Sequence, residues 1–304
     1  MNVSAKSTTI SAGDENIIVR TNITYATHDG VELRGDLYLP GEGGNLPGEG
    51  GSPFPVVIAA PGGGWRVCDP RAAKNWGPYF ARHGIALFGF QYRVADGIKM
   101  FPEAVCDVIS AIQFVRGAAS ELDIDPGRIA LLGSSAGAHV ASLAALAGDT
   151  PLFKSSKPCN GYEAIDFSVR ALAGIYGVYD LFALWQHEIA NITDVNERRS
   201  ECLIGAPPYA DQQRYFEASP ISYVRYAANK LPVFLCYGTA DDIVNPEQQS
   251  EKFLRLLKQA GFRVHGHPII GAGHFWFSEE PVDEPGSYSS FLAPRLLRFV
   301  KQYL

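Results

Sequence analysis

An apolar run, Ile129 to Leu132, leads straight into Gly133-Ser-Ser-Ala-Gly137, and an Ala/Leu-rich segment ending at Gly148 follows. The apolar run reads as a buried strand and the Ala/Leu segment as a helix, so a few residues must turn the chain from one to the other. A G-x-S-x-G pattern between strand and helix holds its central serine at the apex of a sharp, strained turn. The small flanking residues let the backbone fold back without a Cβ clash. Ser135 is thereby presented at a helix N-terminus, where N–H groups face negative charge. Ser134 beside it reads as an ordinary hydroxyl. A chain built around this unit is committed to a sheet with helices packed on it.

The same alternation runs along the chain. Pro55–Ala60, Ile85–Tyr92, Val169–Ile175, Pro232–Tyr237 and Arg263–Ile270 read as strands. Helices are expected near Arg71–His83, over Phe101–Leu122, over Gln248–Ala260 and over Pro294–Leu304. In the second of these, Val105, Val108, Ile109, Ile112 and Val115 recur at helical spacing. Continuous apolar strands alternating with helices imply an α/β fold, with a mostly parallel sheet covered on both faces. Ahead of it, Asn16–Thr27 and Val31–Leu39 flank the turn signal His28-Asp29-Gly30 and predict an antiparallel hairpin. The mostly polar residues 1–15 are expected to form a loose arm. A tandem duplication, Leu39–Asn45 and Leu46–Ser52, is too short for a solenoid and reads as an exposed Gly/Pro loop.

One stretch breaks the alternation. Residues 180–230 lie between two predicted strands, are too long for a simple connection, and carry Phe182, Trp185, Tyr209, Tyr215 and Phe216. An insertion after a parallel strand sits at the sheet's C-terminal edge, where ligands bind. The reading is therefore one domain over residues 1–304, with a cap or lid insertion at 180–230.

Composition limits the partners. The net charge of −6 supplies no basic excess for nucleic acid. No apolar run approaches the roughly 20 residues of a membrane span. Met1 to Arg20 lacks the apolar stretch of a signal peptide. Cysteines 68, 106, 159, 202 and 236 form neither a C-x-x-C pair nor a zinc spacing, so free thiols and a cytoplasmic location are expected. No cofactor and no metal is implied. His265 and His267 alternate on one strand without an accompanying carboxylate or cysteine cluster. The partner expected is a small molecule, and a homo-oligomer is compatible with the sequence.

A serine nucleophile needs a base, and the base needs an acid to orient it. On a strand–elbow–helix scaffold the chain order is serine, acid, histidine. That order sets aside His28, His83 and His139. His187 falls in the expected cap, and His265 and His267 fall mid-strand. His274, in the glycine turn Gly271-Ala-Gly-His274 after the last strand, is placed to reach the serine. Asp241 and Asp242 both follow the strand ending at Tyr237, with Asp180 a more distant candidate. Asp241 is favoured because it begins a D-x-x-V-x-P run whose valine can pack back and fix the loop. Gly62, Gly63 and Gly64 follow another strand end and can turn N–H groups toward a developing oxyanion, together with Ala136. They lack the Lys-Ser/Thr ending of a phosphate loop. Trp65, Phe275, Trp276 and Trp185 suit the walls of a substrate pocket, or else pack the cap. Arg66 suits an acidic substrate or a cap carboxylate.

Several motifs together carry a family likeness. They are Pro61-Gly-Gly-Gly-Trp65, Gln91-Tyr-Arg93, Phe101-Pro-Glu-Ala-Val105, Ile124-Asp-Pro126, Gly133-Ser-Ser-Ala-Gly137, Ala218-Ser-Pro-Ile-Ser-Tyr223, Gly238-Thr-Ala-Asp-Asp-Ile-Val244 and Gly271-Ala-Gly-His274. From about residue 30 onward the chain resembles the α/β-hydrolase superfamily. The likeness is to its carboxylesterase branch, and within that to feruloyl/acetyl-esterase-like enzymes related to hormone-sensitive-lipase-like esterases. The resemblance implies Ser135 as nucleophile, Asp241 as acid, His274 as base, and Gly63, Gly64 and Ala136 as oxyanion donors. Pro61 stands where the family usually has histidine, which puts the geometry of that loop in question. Ser134 stands where the lipase-like branch often has aspartate. The function implied is hydrolysis of small to medium carboxylic esters, aromatic ones included, through an acyl-enzyme. The alternatives are an amide or formamide hydrolase of arylformamidase type, or a ligand-binding member of the fold without activity.

Overall fold

The computed structural model describes residues 6–12, 15–28, 30–41, 53–95, 99–154 and 161–304. Among them, nine strands form one sheet: β1 (Lys6–Ala12), β2 (Glu15–His28), β3 (Val31–Pro40), β4 (Phe54–Ala60), β5 (Ala86–Phe90), β6 (Ile124–Ser134), β7 (Ala171–Ile175), β8 (Val233–Gly238) and β9 (Val264–Ile269). Their spatial order is β1-β2-β3-β5-β4-β6-β7-β8-β9. The first three strands and the β3–β5 contact are antiparallel, and from β5 to β9 every pairing is parallel.

The strands bury both faces because their side chains alternate with period two. Val56, Ile58, Ile129, Leu131, Leu172, Val233 and Leu235 point into one core. Their neighbours Val57, Ala130, Leu132, Ala173, Phe234 and Cys236 point into the other. The first core is closed by α2 (Glu103–Gly117), α3 (Ala119–Leu122), α4 (Ala136–Ala147) and α8 (Lys252–Gln259), and the second by α1 (Trp76–Arg82), α9 (Trp276–Glu279) and α10 (Tyr288–Tyr303). The expected helical stripe on α2 is fully inside, with Val105, Val108, Ile109, Ile112 and Val115 all at 0% exposure.

Between β7 and β8 run α5 (Leu181–Asn191), α6 (Arg199–Ile204) and α7 (Gln212–Glu217), joined by short 3₁₀ turns. Asp180 caps α5 by accepting from Ala183 N at 3.0 Å, and its other oxygen meets Lys252 Nζ at 2.6 Å.

Three expectations need correction. Residues 1–15 are not simply a loose arm: Lys6–Ala12 pairs antiparallel with β2, from Lys6↔Thr21 to Ala12↔Glu15. A free edge of β2 offers unpaired backbone groups to any extended neighbour, whatever its polarity. The last helix begins at Tyr288 rather than Pro294, because Ser287 accepts from Ser290 N at 3.0 Å and caps it, leaving Pro294 inside. The expected helix over 101–122 is two helices that meet at Ala118. The duplicated Gly/Pro segment, from residue 42 onward, and Cys159 lie outside the described residues. Of the remaining cysteines, Cys106 and Cys236 are buried free thiols, while Cys68 and Cys202 are partly exposed. His265 packs edge-on to Phe299 and His267 stacks on Phe234. No described helix is long and apolar enough to cross a membrane.

Candidate active site

Ser135 sits where β6 turns into α4 and adopts φ 52°, ψ −123°. A non-glycine residue reaches that region only when its surroundings over-determine it. Here they do. A Cβ on Gly133 would lie 2.4 Å from Gly137 O, and a Cβ on Gly137 would lie 2.1 Å from Ala60 O. The two motif glycines therefore let β6, α4 and the end of β4 approach backbone to backbone. Ser135 N donates to Ile175 O at 2.9 Å, which ties the turn to the end of β7.

The serine hydroxyl meets His274 Nε2 at 3.0 Å, and His274 Nδ1 meets Asp241 Oδ2 at 2.7 Å. An ionised carboxylate only accepts, so Nδ1 carries the proton and Nε2 is left to accept from Ser135. The second Asp241 oxygen accepts from Ile243 N at 3.0 Å and Val244 N at 2.9 Å, and Val244 is buried. This is the D-x-x-V turn read in the sequence. The Asp241 and His274 loops are also bound to each other, through Ala240 N to Ala272 O and Gly271 N to Thr239 Oγ1, each at 2.9 Å. Asp242 faces solvent and is held by His187 Nε2 at its carbonyl, while Asp180 caps α5. Tyr176 packs its ring 4.4 Å from that of His274. Ser134 lies beside the Tyr176 hydroxyl, whose pKa burial pushes well up.

Gly63, Gly64, Ser135, Ala136 and His274 line one cleft of about 250 Å³. Among the described residues, the N–H groups of Gly63, Gly64 and Ala136 have no backbone acceptor. Gly63 (φ +135°) and Gly64 (φ +59°) hold conformations that side chains resist, and the Gly63 carbonyl accepts from both Arg66 N and Val67 N. The proline at 61 is accommodated by other supports: Tyr92 donates its hydroxyl to Pro61 O at 2.9 Å, and Ala95 N donates to Trp65 O at 2.7 Å.

His139, one helical turn past the serine, completes that support. Trp65 Nε1 donates to its Nδ1 at 3.1 Å, so the proton is on Nε2, which donates to Ala218 O at 2.6 Å. Burial pushes its pKa from 6.5 down to about 4, keeping the ring neutral. The folded pKa lies below the unfolded one, so unfolding takes up a proton between these values. Stability is complete above pH 6.5 and falls by about 3 kcal/mol as pH drops toward 4. Urea unfolding of the wild type should therefore show one proton more of pH dependence in this window than His139→Gln. Equal slopes would refute the neutral-histidine strut.

The four aromatics expected at the pocket separate. Phe275 lines the cleft and is 46% exposed, and Trp65 lines it but is 1% exposed and bound to His139. Trp185 instead donates to Glu201 Oε1 at 2.9 Å beside Phe182, and Trp276 is buried against Tyr176. Neither is among the lining residues. Arg66 is held by Glu197, Asn196 O and Cys202 Sγ. The lining that sequence reasoning missed comprises Val67, Val178, Leu184, Glu188, Arg199, Ile243 and Val244. Ile243 and Val244 could have been found from the Asp241 motif, whereas the residues of α5 and α6 carry no motif.

A parallel sheet with helices on both faces, a serine on a strained β6–α4 turn, and an acid and a histidine on later strand ends make this an α/β-hydrolase. The chain belongs to the BD-FAE family, whose model matches residues 44–257. It is 31% identical over 263 residues to the probable carboxylic ester hydrolase LipM of Mycobacterium tuberculosis, covering 86% of this chain and 54% of LipM. It is 34% identical over 227 residues to the esterase LipQ of the same organism, covering 73% and 50%. The chain thus spans about half the length of the curated relatives it matches. Among solved structures, a thermophilic esterase of Thermogutta terrifontis, Est2, superposes with a TM-score of 0.70 at 25% identity, covering 92% of this chain and 91% of that one.

Proposed function

We propose that this chain is a serine carboxylic ester hydrolase. Ser135 attacks the ester carbonyl while His274 Nε2 takes its proton, and Asp241 holds the imidazole and stabilises its charge. The tetrahedral oxyanion is received by the N–H groups of Gly63, Gly64 and Ala136. His274 then protonates the leaving alcohol, and water activated by the same ring releases the acid. The observation that carries this reading is the continuous contact from Ser135 through His274 to Asp241, at 3.0 and 2.7 Å, on a strained elbow.

Residues 180–230 act as the cap. Leu184, Glu188 and Arg199, all from this segment, line the cleft together with Ser135 and His274. With Val178, Ile243, Val244 and Phe275 as neighbours, the lining is mainly apolar, and a cleft of about 250 Å³ suits short acyl chains and small alcohols.

The test is to mix the protein with p-nitrophenyl acetate, quench early and map the modified peptide. One acetyl group on the peptide bearing Ser135, with a burst of p-nitrophenol, is the expected result. Steady turnover with acetyl absent from Ser135 would overturn the mechanism.

A further inference from the structure

Two charged side chains from the 180–230 segment reach the cleft, and only one of them has hydrogen-bond partners for its charged group. Glu188 is 1% exposed. One of its oxygens accepts from Arg199 N at 3.0 Å, and the other accepts from Ser200 N at 3.1 Å and from the Ser200 hydroxyl. Its carboxylate is therefore spent on holding the first turn of α6. That hold aims the Arg199 side chain at the oxyanion loop: a Cβ on Gly64 would lie 2.8 Å from Arg199 Cδ and 3.1 Å from Nε. Glycine at 64 is what makes room for the arginine stem.

Among the described residues, the Arg199 guanidinium donates no hydrogen bond and closes no salt bridge, and the charge it feels from the cleft is that of the Glu188 carboxylate, whose oxygens are already held by the start of α6. The carboxylates two residues to either side of it in sequence are taken, Glu197 by Arg66 and Glu201 by Arg198. Arg199 is half-buried, and much of the remaining lining is Val178, Leu184, Ile243 and Val244. A guanidinium in such surroundings has lost part of its hydration and has gained no acceptor in return, so an anion entering the cleft meets a fork of free donors. The fork matches a planar carboxylate. Glu188, which lines the same cleft, disfavours a dianion more than a monoanion.

On the ester-hydrolase reading above, we infer that Arg199 sets specificity and that the preferred substrates are esters bearing a second, ionised carboxylate. Half-esters of short dicarboxylic acids fit the cleft. The carboxylate pairs with Arg199 while the ester carbonyl sits on the N–H groups of Gly63, Gly64 and Ala136. Arg199 touches the substrate's anion and takes no part in bond making.

The experiment compares monoethyl succinate with ethyl butyrate and ethyl valerate, on the wild type, Arg199→Leu, Arg199→Gln and Arg199→Lys. A charge-assisted pair in a partly dry site changes selectivity by about 10- to 100-fold. The wild type is expected to favour the half-ester by that factor in kcat/KM, mainly through KM. The ratio should collapse in Arg199→Leu and Arg199→Gln and survive in part in Arg199→Lys. It should also shrink as salt is raised. A wild type that prefers the neutral esters, or a ratio unchanged in both Leu and Gln variants, overturns the inference while leaving ester hydrolysis standing. Failure of the wild type to cleave any of the three esters, with no acetyl on Ser135 in the quench experiment, overturns both readings together.

Discussion

Ser135→Ala is expected to lower kcat toward p-nitrophenyl acetate by about 10⁶-fold, with the fold intact. Alanine cannot form the acyl bond, and the imidazole alone has no nucleophile to activate. The backbone should tolerate the change, because φ 52° at this position is imposed by the contacts of Gly133 and Gly137, not by the serine side chain. A residual rate of roughly 10³–10⁴ over water is the expected contribution of the oxyanion donors and binding alone. Parallel assays of parent and variant, with circular dichroism confirming the fold, decide the matter. A variant within tenfold of the parent would place the nucleophile elsewhere.

Asp241→Asn should cost about 10⁴-fold in kcat while leaving the loop in place. The amide oxygen can keep accepting from Ile243 N and Val244 N, as Oδ1 does now. The amide nitrogen then faces His274 Nδ1 where Oδ2 was, 2.7 Å away. It donates, so Nδ1 becomes the acceptor and the ring proton moves to Nε2. In that tautomer His274 cannot take the proton of Ser135. The diagnostic is a large fall in kcat with a much smaller change in KM and an unchanged urea midpoint. A fall in kcat/KM carried by KM, or a lowered midpoint, would show instead that Asp241 only shapes the loop.

The alternation of buried strands and helices was legible because a parallel sheet buries both faces of each strand, and such strands read as short unbroken apolar runs. Ser135, Asp241 and His274 were legible for a related reason. Ser135 and Asp241 each sit in a turn directly after such a run, His274 sits in a glycine turn after the last, more polar strand, and their chain order narrowed the choice. Gly63 and Gly64, the proposed oxyanion donors, were marked by a run of glycines directly after a strand end. Other parts were hidden by physics that acts across the fold. Strand β1 is polar, and only the unpaired edge of β2 makes it a strand. The start of α10 depends on the Ser287 cap, which competes with a proline whose usual place is the first helical turn. Arg199 and Glu188 reach the cleft through the packing of α5 and α6, and no periodicity reports where two short helices land. Trp185 and Trp276 show the opposite error: a place in the inserted segment, or two residues past His274, did not decide the direction of the rings.

The cleft is assembled from two kinds of chain. The groups proposed to react hang on strand ends packed closely backbone to backbone, such as Gly137 against Ala60 and Gly238 against Ala272. The lining groups proposed to select the substrate, Leu184 and Arg199, ride on helices that leave the sheet after β7 and rejoin it before β8. Replacement of the contiguous passage between β7 and β8 would change the proposed selecting groups while leaving the contacts of Ser135, His274 and Asp241 in place. The seam for such an exchange falls at Asp180 and at Leu231–Pro232, where little of the reacting machinery would be disturbed.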